Sequence, residues 1–203
     1  MKSLPPRAAL KALESLKTGN ARFATGAYDF SRFSLERRRE TAGEGQEPHA
    51  LVVGCSDSRV PLEVVLGQGI GDLFVVRTAG NLCGTFGLAS LEFAVEVLHV
   101  PLLVILGHTD CGAVKAALDP IDYKADRIDE LIHRIEPAVV ETKRRYPDLS
   151  GYDFQCEAVK ANARESLNMI IRFSSLIRDR IEAGKLFATY AILDIETGKV
   201  EWA

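Results

Sequence analysis

Leu51-Val52-Val53-Gly54-Cys55-Ser56-Asp57-Ser58-Arg59 is the stretch on which the fold turns. Its apolar run is too short for a helix of its own. It ends abruptly in a polar turn that carries a thiol, a carboxylate and a guanidinium, which is the pattern of a buried strand delivering chemistry from its carboxyl end. Leu102 to Gly107 repeats the pattern and ends in His108-Thr109-Asp110-Cys111. Two such strands side by side would bring two reactive tips to one edge of a sheet, with room for one soft metal ion between them.

Outward from these strands the chain alternates. Upstream, Ala8, Leu10, Leu13, Leu16 and Phe23 recur at mostly helical spacing from Arg7 to Gly26, and Ser34 can cap a short charged helix reaching about Ala42. Gly43 to His49 is a polar loop before the first strand, Ala50 to Gly54. Pro61 to Leu66 predicts one or two helical turns, Asp72 to Arg77 a second strand, and Ala79-Gly80-Asn81 a tight turn. A helix is expected from Thr85 to Leu98 with Phe86, Ala89, Leu91, Phe93, Ala94 and Val97 on or near one side. Another runs from Cys111 to about Leu118.

Pro120 to Tyr123 reads as a loop, and Ala125 to Tyr146 as a helix that Pro137 kinks or breaks. A helix from Tyr152 to about Arg172 and a shorter one from Ser174 to near Gly184 follow. Leu186 to Asp194 is a fourth strand, and Thr197-Gly198 turns the chain into a possible edge strand, Lys199 to Trp202. The alternation predicts an α/β fold with a central, mostly parallel β-sheet of four to five strands flanked by helices. Residues 1–203 are expected to form a single domain, with residues 1–42 as an N-terminal helical arm and 50–203 as the α/β core. The arm can pack on its own core or clasp a second subunit.

The candidate metal ligands are Cys55, Asp57, His108 and Cys111. Cys-x-Asp puts two donors on one turn and His-x-x-Cys two on another, each after a buried strand. Two thiolates and an imidazole suit Zn²⁺: three protein ligands leave a position for water, and a fourth closes the site. Asp57 can switch between these states, bound to metal or turned away. Arg59, two residues on, can hold Asp57 off the metal through a two-pronged, charge-assisted hydrogen bond. Cys111 at a helix start is placed where thiolate is favoured, and Gly112 lets a ligand approach the backbone N–H closely. Each of these residues alone is more often structural; their joint placement at matching strand ends argues for a metal site.

Composition excludes several classes. A net charge of −3 gives no basic surface for nucleic acid or anionic membrane, and Glu36 and Glu40 balance Arg37-Arg38-Arg39 into a solvated helix face. No apolar run approaches the ~20 residues of a membrane span, and Lys2 to Pro6 does not resemble a secretory leader. A cytoplasmic protein without membrane partners is expected. Four cysteines are too few for a disulfide scaffold, and Cys83 and Cys156 match no ligand spacing. Gly67, Gly69 and Gly71 lack dinucleotide-binding spacing and precede a strand, which weakens a dehydrogenase reading.

At Cys55-Ser56-Asp57-Ser58-Arg59, Phe74-Val75-Val76-Arg77 with Ala79-Gly80-Asn81, and Gly107-His108-Thr109-Asp110-Cys111-Gly112, the chain resembles a β-class carbonic anhydrase. The resemblance covers most of the chain. It implies zinc, one per chain, held by Cys55, His108 and Cys111, with Asp57 and Arg59 as the catalytic dyad. The implied reaction is reversible hydration of CO₂ to bicarbonate and a proton by zinc-bound hydroxide.

The family divides by its substrate side. One group carries a Gln nine residues before the first ligand cysteine, here Gln46; the other has a Trp and a Tyr where this chain has Val52 and Ile192. That implies the first group, with an open site and Asp57 on zinc only in a closed form. Phe74, Ala79, Phe93 and the Gly112 N–H complete the implied substrate pocket. Phe93 replaces a common Tyr and Thr78 a common Asn. The resemblance also implies a homodimer or dimer of dimers, with sites at the interface and the N-terminal helix wrapped over the neighbour. Hydrolysis of carbonyl sulfide or carbon disulfide, and a non-catalytic zinc or bicarbonate sensor, are the competing readings.

Overall fold

A computed structural model describes residues 4–119 and 124–203; the loop expected at Pro120 to Tyr123 lies outside the described residues. Among the described residues, five strands form one sheet: β1 (Ala50–Cys55), β2 (Leu73–Thr78), β3 (Leu102–His108), β4 (Phe187–Leu193) and β5 (Val200–Trp202). Their order is β2-β1-β3-β4-β5, parallel except for β5, which runs antiparallel to β4. Every residue of β1 and β3 is buried, as two central strands covered on both faces require.

The helices are α1 (Arg7–Ala24), α2 (Leu35–Glu44), α3 (Leu62–Val65), α4 (Thr85–Glu96), α5 (Gly112–Leu118), α6 (Asp126–Arg145), α7 (Gly151–Phe173) and α8 (Ser175–Glu182). Alternate side chains of a strand leave on opposite faces, so the sheet builds two cores. On one face Leu51, Val53, Leu103 and Ile105 pack with Leu91 of α4, Ile135 of α6, and Val159 and Ile170 of α7. On the other, Val52, Val104 and Leu106 pack with Leu16 of α1 and Leu62 and Val65 of α3. Ser34 caps α2 as expected, its hydroxyl accepting the Arg37 N–H at 3.1 Å.

Three expectations are corrected. The buried stripe of α1 is Ala9, Ala12, Leu16, Gly19 and Asn20, whereas Ala8 is exposed and Leu10 is 49% exposed. The reason is a backbone-to-backbone contact. A Cβ on Gly19 would stand 1.9 Å from the Leu66 carbonyl oxygen, and one on Gly67 would stand 2.5 Å from the Gly19 Cα. Such an approach selects small residues over large apolar ones. Pro137 does not break α6, which runs unbroken from Asp126 to Arg145. Ile132 and Ile135 before the proline and Ala138 and Thr142 after it are all buried, and this packing holds the helix through the missing hydrogen bond. On α4, Phe86 is 89% exposed, and Val97, just past its end, is 55% exposed; the buried side is Leu91, Ala94 and Val95.

α2 itself buries nothing. It is tethered by charge: Arg37 donates from Nε to the Ile70 carbonyl at 2.9 Å and pairs with Asp72, as does Arg32 just upstream. The Arg37 side chain therefore reaches the domain rather than standing on a purely solvated face.

Candidate metal centre

β1 ends at Cys55 and its parallel neighbour β3 ends at His108, so both side chains arrive at the carboxyl edge of the sheet. A left-handed residue, Asp110 with φ +60°, then turns the chain so that Cys111 caps α5 and faces back toward them. One donor atom from each of Cys55, His108 and Cys111 lies within 4.8 Å of the others, and all three residues are buried. The His108 Nδ1 sits 2.8 Å from the Thr109 carbonyl oxygen, to which it donates. That contact assigns the proton to Nδ1 and leaves Nε2 as a lone pair. Nε2 is buried and, among the described residues, has no hydrogen-bond partner.

The Thr109 carbonyl is itself fixed. Its residue's N–H donates to the Leu193 carbonyl at 2.8 Å, and its hydroxyl accepts the Ile195 N–H at 3.1 Å. The end of β4 thus sets the orientation of the imidazole. Cys55 Sγ accepts two backbone N–H groups, from Asp57 and Gly80, each at 3.4 Å. Its pKa is pulled well below the ordinary thiol value by the hydrogen bond from the Cys111 thiol first, with these two amides adding, against the opposing effect of burial. Cys111 moves the other way, because the Cys55 sulfur accepts its proton and burial disfavours a second charge.

Asp57 and Arg59 form a tight pair. Arg59 donates from Nε to Asp57 Oδ1 at 3.0 Å and from Nη2 to Oδ2 at 2.7 Å, and its backbone N–H adds a third bond to Oδ1 at 2.9 Å. These bonds hold the Asp57 carboxyl far below the usual carboxylate range and raise the Arg59 guanidinium further still. Asp57 Oδ2 stays 3.9 Å from His108 Nε2.

Two thiols, one of them favoured as thiolate, and an unpartnered imidazole nitrogen are the donor set of a tetrahedral zinc site with one position left over. A buried, unpaired Nε2 is costly by itself and is accounted for by an ion at the focus of the three donors. The residues fit zinc.

The other predicted site residues fall into two groups. Ala79 begins the turn after β2, next to the Cys55↔Thr78 rung, and Gly112 opens α5 with empty space where a side chain would be. Both stand at the metal edge. Gln46 precedes β1 and lines a groove with Lys11, His49, Asp72 and Pro101 at the amino edge of the sheet. Phe74 pairs with Leu51, four rungs or about 13 Å from Cys55. The Phe93 ring lies against it, with centroids 6.4 Å apart. One chain therefore does not bring Gln46, Phe74 and Phe93 to its own metal centre.

Sequence reasoning missed the groups that hold the turn. Arg77 donates from Nε to the Cys55 carbonyl at 3.0 Å and from Nη2 to the Asp57 carbonyl at 2.8 Å. Asn162 of α7 donates to the Gly80 carbonyl at 2.9 Å and so steadies the amide that faces Cys55 Sγ. A charged residue inside the apolar run of β2 was the available signal for Arg77; Asn162 left none.

Comparison with known proteins agrees with this geometry. Residues 50–200 match the family model described as carbonic anhydrase. The chain is 38% identical over 199 residues to carbonic anhydrase 2 of Mycobacterium tuberculosis, covering 97% of this chain and 93% of that one. It is 36% identical over 201 residues to the carbonic anhydrase of Mycolicibacterium smegmatis, covering 98% and 95%. Among solved structures, the β-carbonic anhydrase CcaA superposes with a TM-score of 0.77 at 29% identity, covering 94% of each chain. A match across the whole sheet and both ligand-bearing strand ends places this chain in the β-carbonic anhydrase family, as a carbonic anhydrase and hence a lyase.

Proposed function

We propose that the chain hydrates CO₂ to bicarbonate with a zinc ion held by Cys55, His108 and Cys111, and with Asp57 and Arg59 as the dyad that aims the attacking water. The observation that carries this reading is the buried Cys-His-Cys cluster with its unpartnered His108 Nε2. Zinc on such donors lowers the pKa of a coordinated water to about 7 and so supplies a nucleophile at neutral pH.

The chain's own residues do the rest. The Asp57 carboxylate is acceptor-only, so a water bonded to it donates one O–H there and turns a lone pair toward the carbon of CO₂. Arg59 keeps both Asp57 oxygens occupied and pointed, which prevents the carboxylate from becoming a fourth ligand. Arg77 holds the backbone on which Asp57 rides. The Gly112 N–H and Ala79 border the space for CO₂. The addition consumes one CO₂ and one water and yields one bicarbonate and one proton.

Gln46, Phe74 and Phe93 lie at the opposite edge, so their substrate role requires a second copy of the chain, whose amino edge would cover this metal edge. The relationship is reciprocal, as in a two-fold dimer. Residues 1–42 would then be the arm that stabilises the pairing, and a dimer or dimer of dimers is the working unit. Exposed Phe86 and Phe93 on α4 and Val97 just past its end support such a covered face. The same reading takes residues 1–203 as one catalytic domain in the cytoplasm. Among the described residues, no helix is long and apolar enough to cross a membrane.

The test is stopped-flow CO₂ hydration with zinc quantified per chain, beside a sulfide-release assay on carbonyl sulfide and carbon disulfide. Bicarbonate formation with one zinc per chain is expected. Sulfide release with negligible CO₂ hydration would overturn the assignment.

A further inference from the structure

We propose that Asp110 is a positioning residue: anchored by Lys115, it clamps Arg59 from the side away from Asp57 and so keeps the Asp57 carboxylate off the metal position. This inference rests on the proposed function above. Arg59 lies between two carboxylates. Its Nε and Nη2 serve Asp57, while Nη1 donates to Asp110 Oδ2 at 2.9 Å and Nη2 also donates to the Asp110 carbonyl at 3.1 Å. The remaining Asp110 oxygen, Oδ1, is bound by Lys115 Nζ, one turn into α5. The result is a chain of four alternating charges, Lys115, Asp110, Arg59 and Asp57, ending 3.9 Å from the ligand nitrogen His108 Nε2.

The clamp matters because Arg59 is 47% exposed and Asp57 only 16%. A half-exposed guanidinium pays side-chain entropy to keep one geometry, and the two-pronged bond to Asp57 alone leaves its outer edge, Nη1, to water. Holding it from two sides, once through a backbone carbonyl, removes that freedom. If Arg59 loosens, the Asp57 carboxylate is left without its guanidinium partner beside the three donors that would hold the metal, 3.9 Å from His108 Nε2. The left-handed backbone of Asp110, between the ligands His108 and Cys111, is what presents both its carbonyl and its carboxylate to Arg59.

Asp110→Asn is the discriminating variant, because Asn tolerates a positive φ and keeps the size of the side chain while removing the charge and one of the two acceptor oxygens. Azide, a small metal-ligating anion, is titrated against the cobalt(II)-substituted protein and followed by visible absorption. Azide needs the position that Asp57 would take. We expect Asp110→Asn to weaken azide about three- to fivefold and to move the acid limb of the kcat/KM profile to higher pH, with Lys115→Met giving the same sign more weakly. In an Asp57→Asn background, where residue 57 no longer carries a ligating carboxylate, Asp110→Asn should change azide affinity by less than about 1.5-fold. Unchanged azide affinity in Asp110→Asn, or an equal loss in the Asp57→Asn background, would overturn the inference while leaving an active wild type intact. A wild type that takes up no metal and hydrates no CO₂ would overturn the proposed function and this inference together.

Discussion

Arg77, near the end of β2, reaches across to the turn after β1 and donates a 2.8 Å hydrogen bond to the backbone carbonyl of Asp57. Its Nε takes the Cys55 carbonyl as well, so one guanidinium fixes the backbone on both sides of Ser56. The metal ligand and the dyad acid are thereby registered to each other by a residue that touches neither side chain. Lys could not reproduce this fork, because its single ammonium offers no planar pair of donors. Arg77→Met keeps the stem and removes the fork. It should lower kcat/KM for CO₂ hydration about 10- to 100-fold, the usual cost of losing an outer-shell support. Stopped-flow assay of the zinc-loaded variant decides, and a rate within twofold of wild type would show that the turn holds itself.

Asp57→Asn separates aiming from metal binding. Asn keeps the size of the side chain and one acceptor oxygen but loses the charge that pairs with Arg59. Turnover should fall about 10²- to 10⁴-fold while zinc stays near one per chain. Unchanged turnover would remove the dyad from the mechanism. Loss of zinc would make Asp57 a structural group.

Asn20 joins three segments that are distant in sequence. Its Nδ2 donates to the Val65 carbonyl at 3.1 Å and the Gly198 carbonyl at 2.8 Å, and its Oδ1 accepts the Val200 N–H at 2.9 Å. The side chain is 5% exposed, so Asn20→Ala would strand three backbone groups. A loss of about 2–3 kcal/mol is expected in chemical denaturation of the whole chain. A loss under about 0.5 kcal/mol would show that α1 docks without this staple.

His49 imposes a dependence on pH. Burial pushes its imidazole below the ordinary 6.5; the Arg32 charge adds to this, and Asp72 and Gln68 oppose it. A folded value below the unfolded one means that the unfolded chain binds the extra proton first. The contribution of His49 is therefore complete above about pH 6.5 and is lost as pH falls through the lower folded value. Comparing urea midpoints at about pH 7.5 and 5.5, His49→Gln should lose less stability on acidification than wild type. Equal losses would mean that His49 titrates alike in both states.

β1 and β3 were legible because each is a continuous apolar run too short for a helix of its own, ending in a polar turn with a reactive tip. Their joint placement of Cys55, His108 and Cys111 followed from the same runs. The face of α1 was not legible. Apolar spacing favoured Ala8 and Leu10, but the contact is governed by how closely Gly19 approaches Gly67, which periodicity does not encode. The break allowed at Pro137 does not occur, because packing of Ile135 and Ala138 outweighs a missing N–H. Arg77, Thr109 and Asp110 act through backbone carbonyls or through another side chain, and sequence spacing carries no record of such contacts. Gln46, Phe74 and Phe93 were named through family resemblance alone; only the strand register reveals that they stand at the far edge.

That separation has a kinetic meaning. On the proposed function, each molecule bears a catalytic lip at one end of its sheet and a lining for someone else's lip at the other, facing apart and unable to meet on themselves. On the proposed reading, turnover becomes a shared property: specific activity should fall on dilution as partners separate, and it should return when an inactive Asp57→Asn chain, still carrying Gln46 and both rings, is added back. Specific activity independent of concentration down to where light scattering sees only monomers would mean that a solitary subunit suffices.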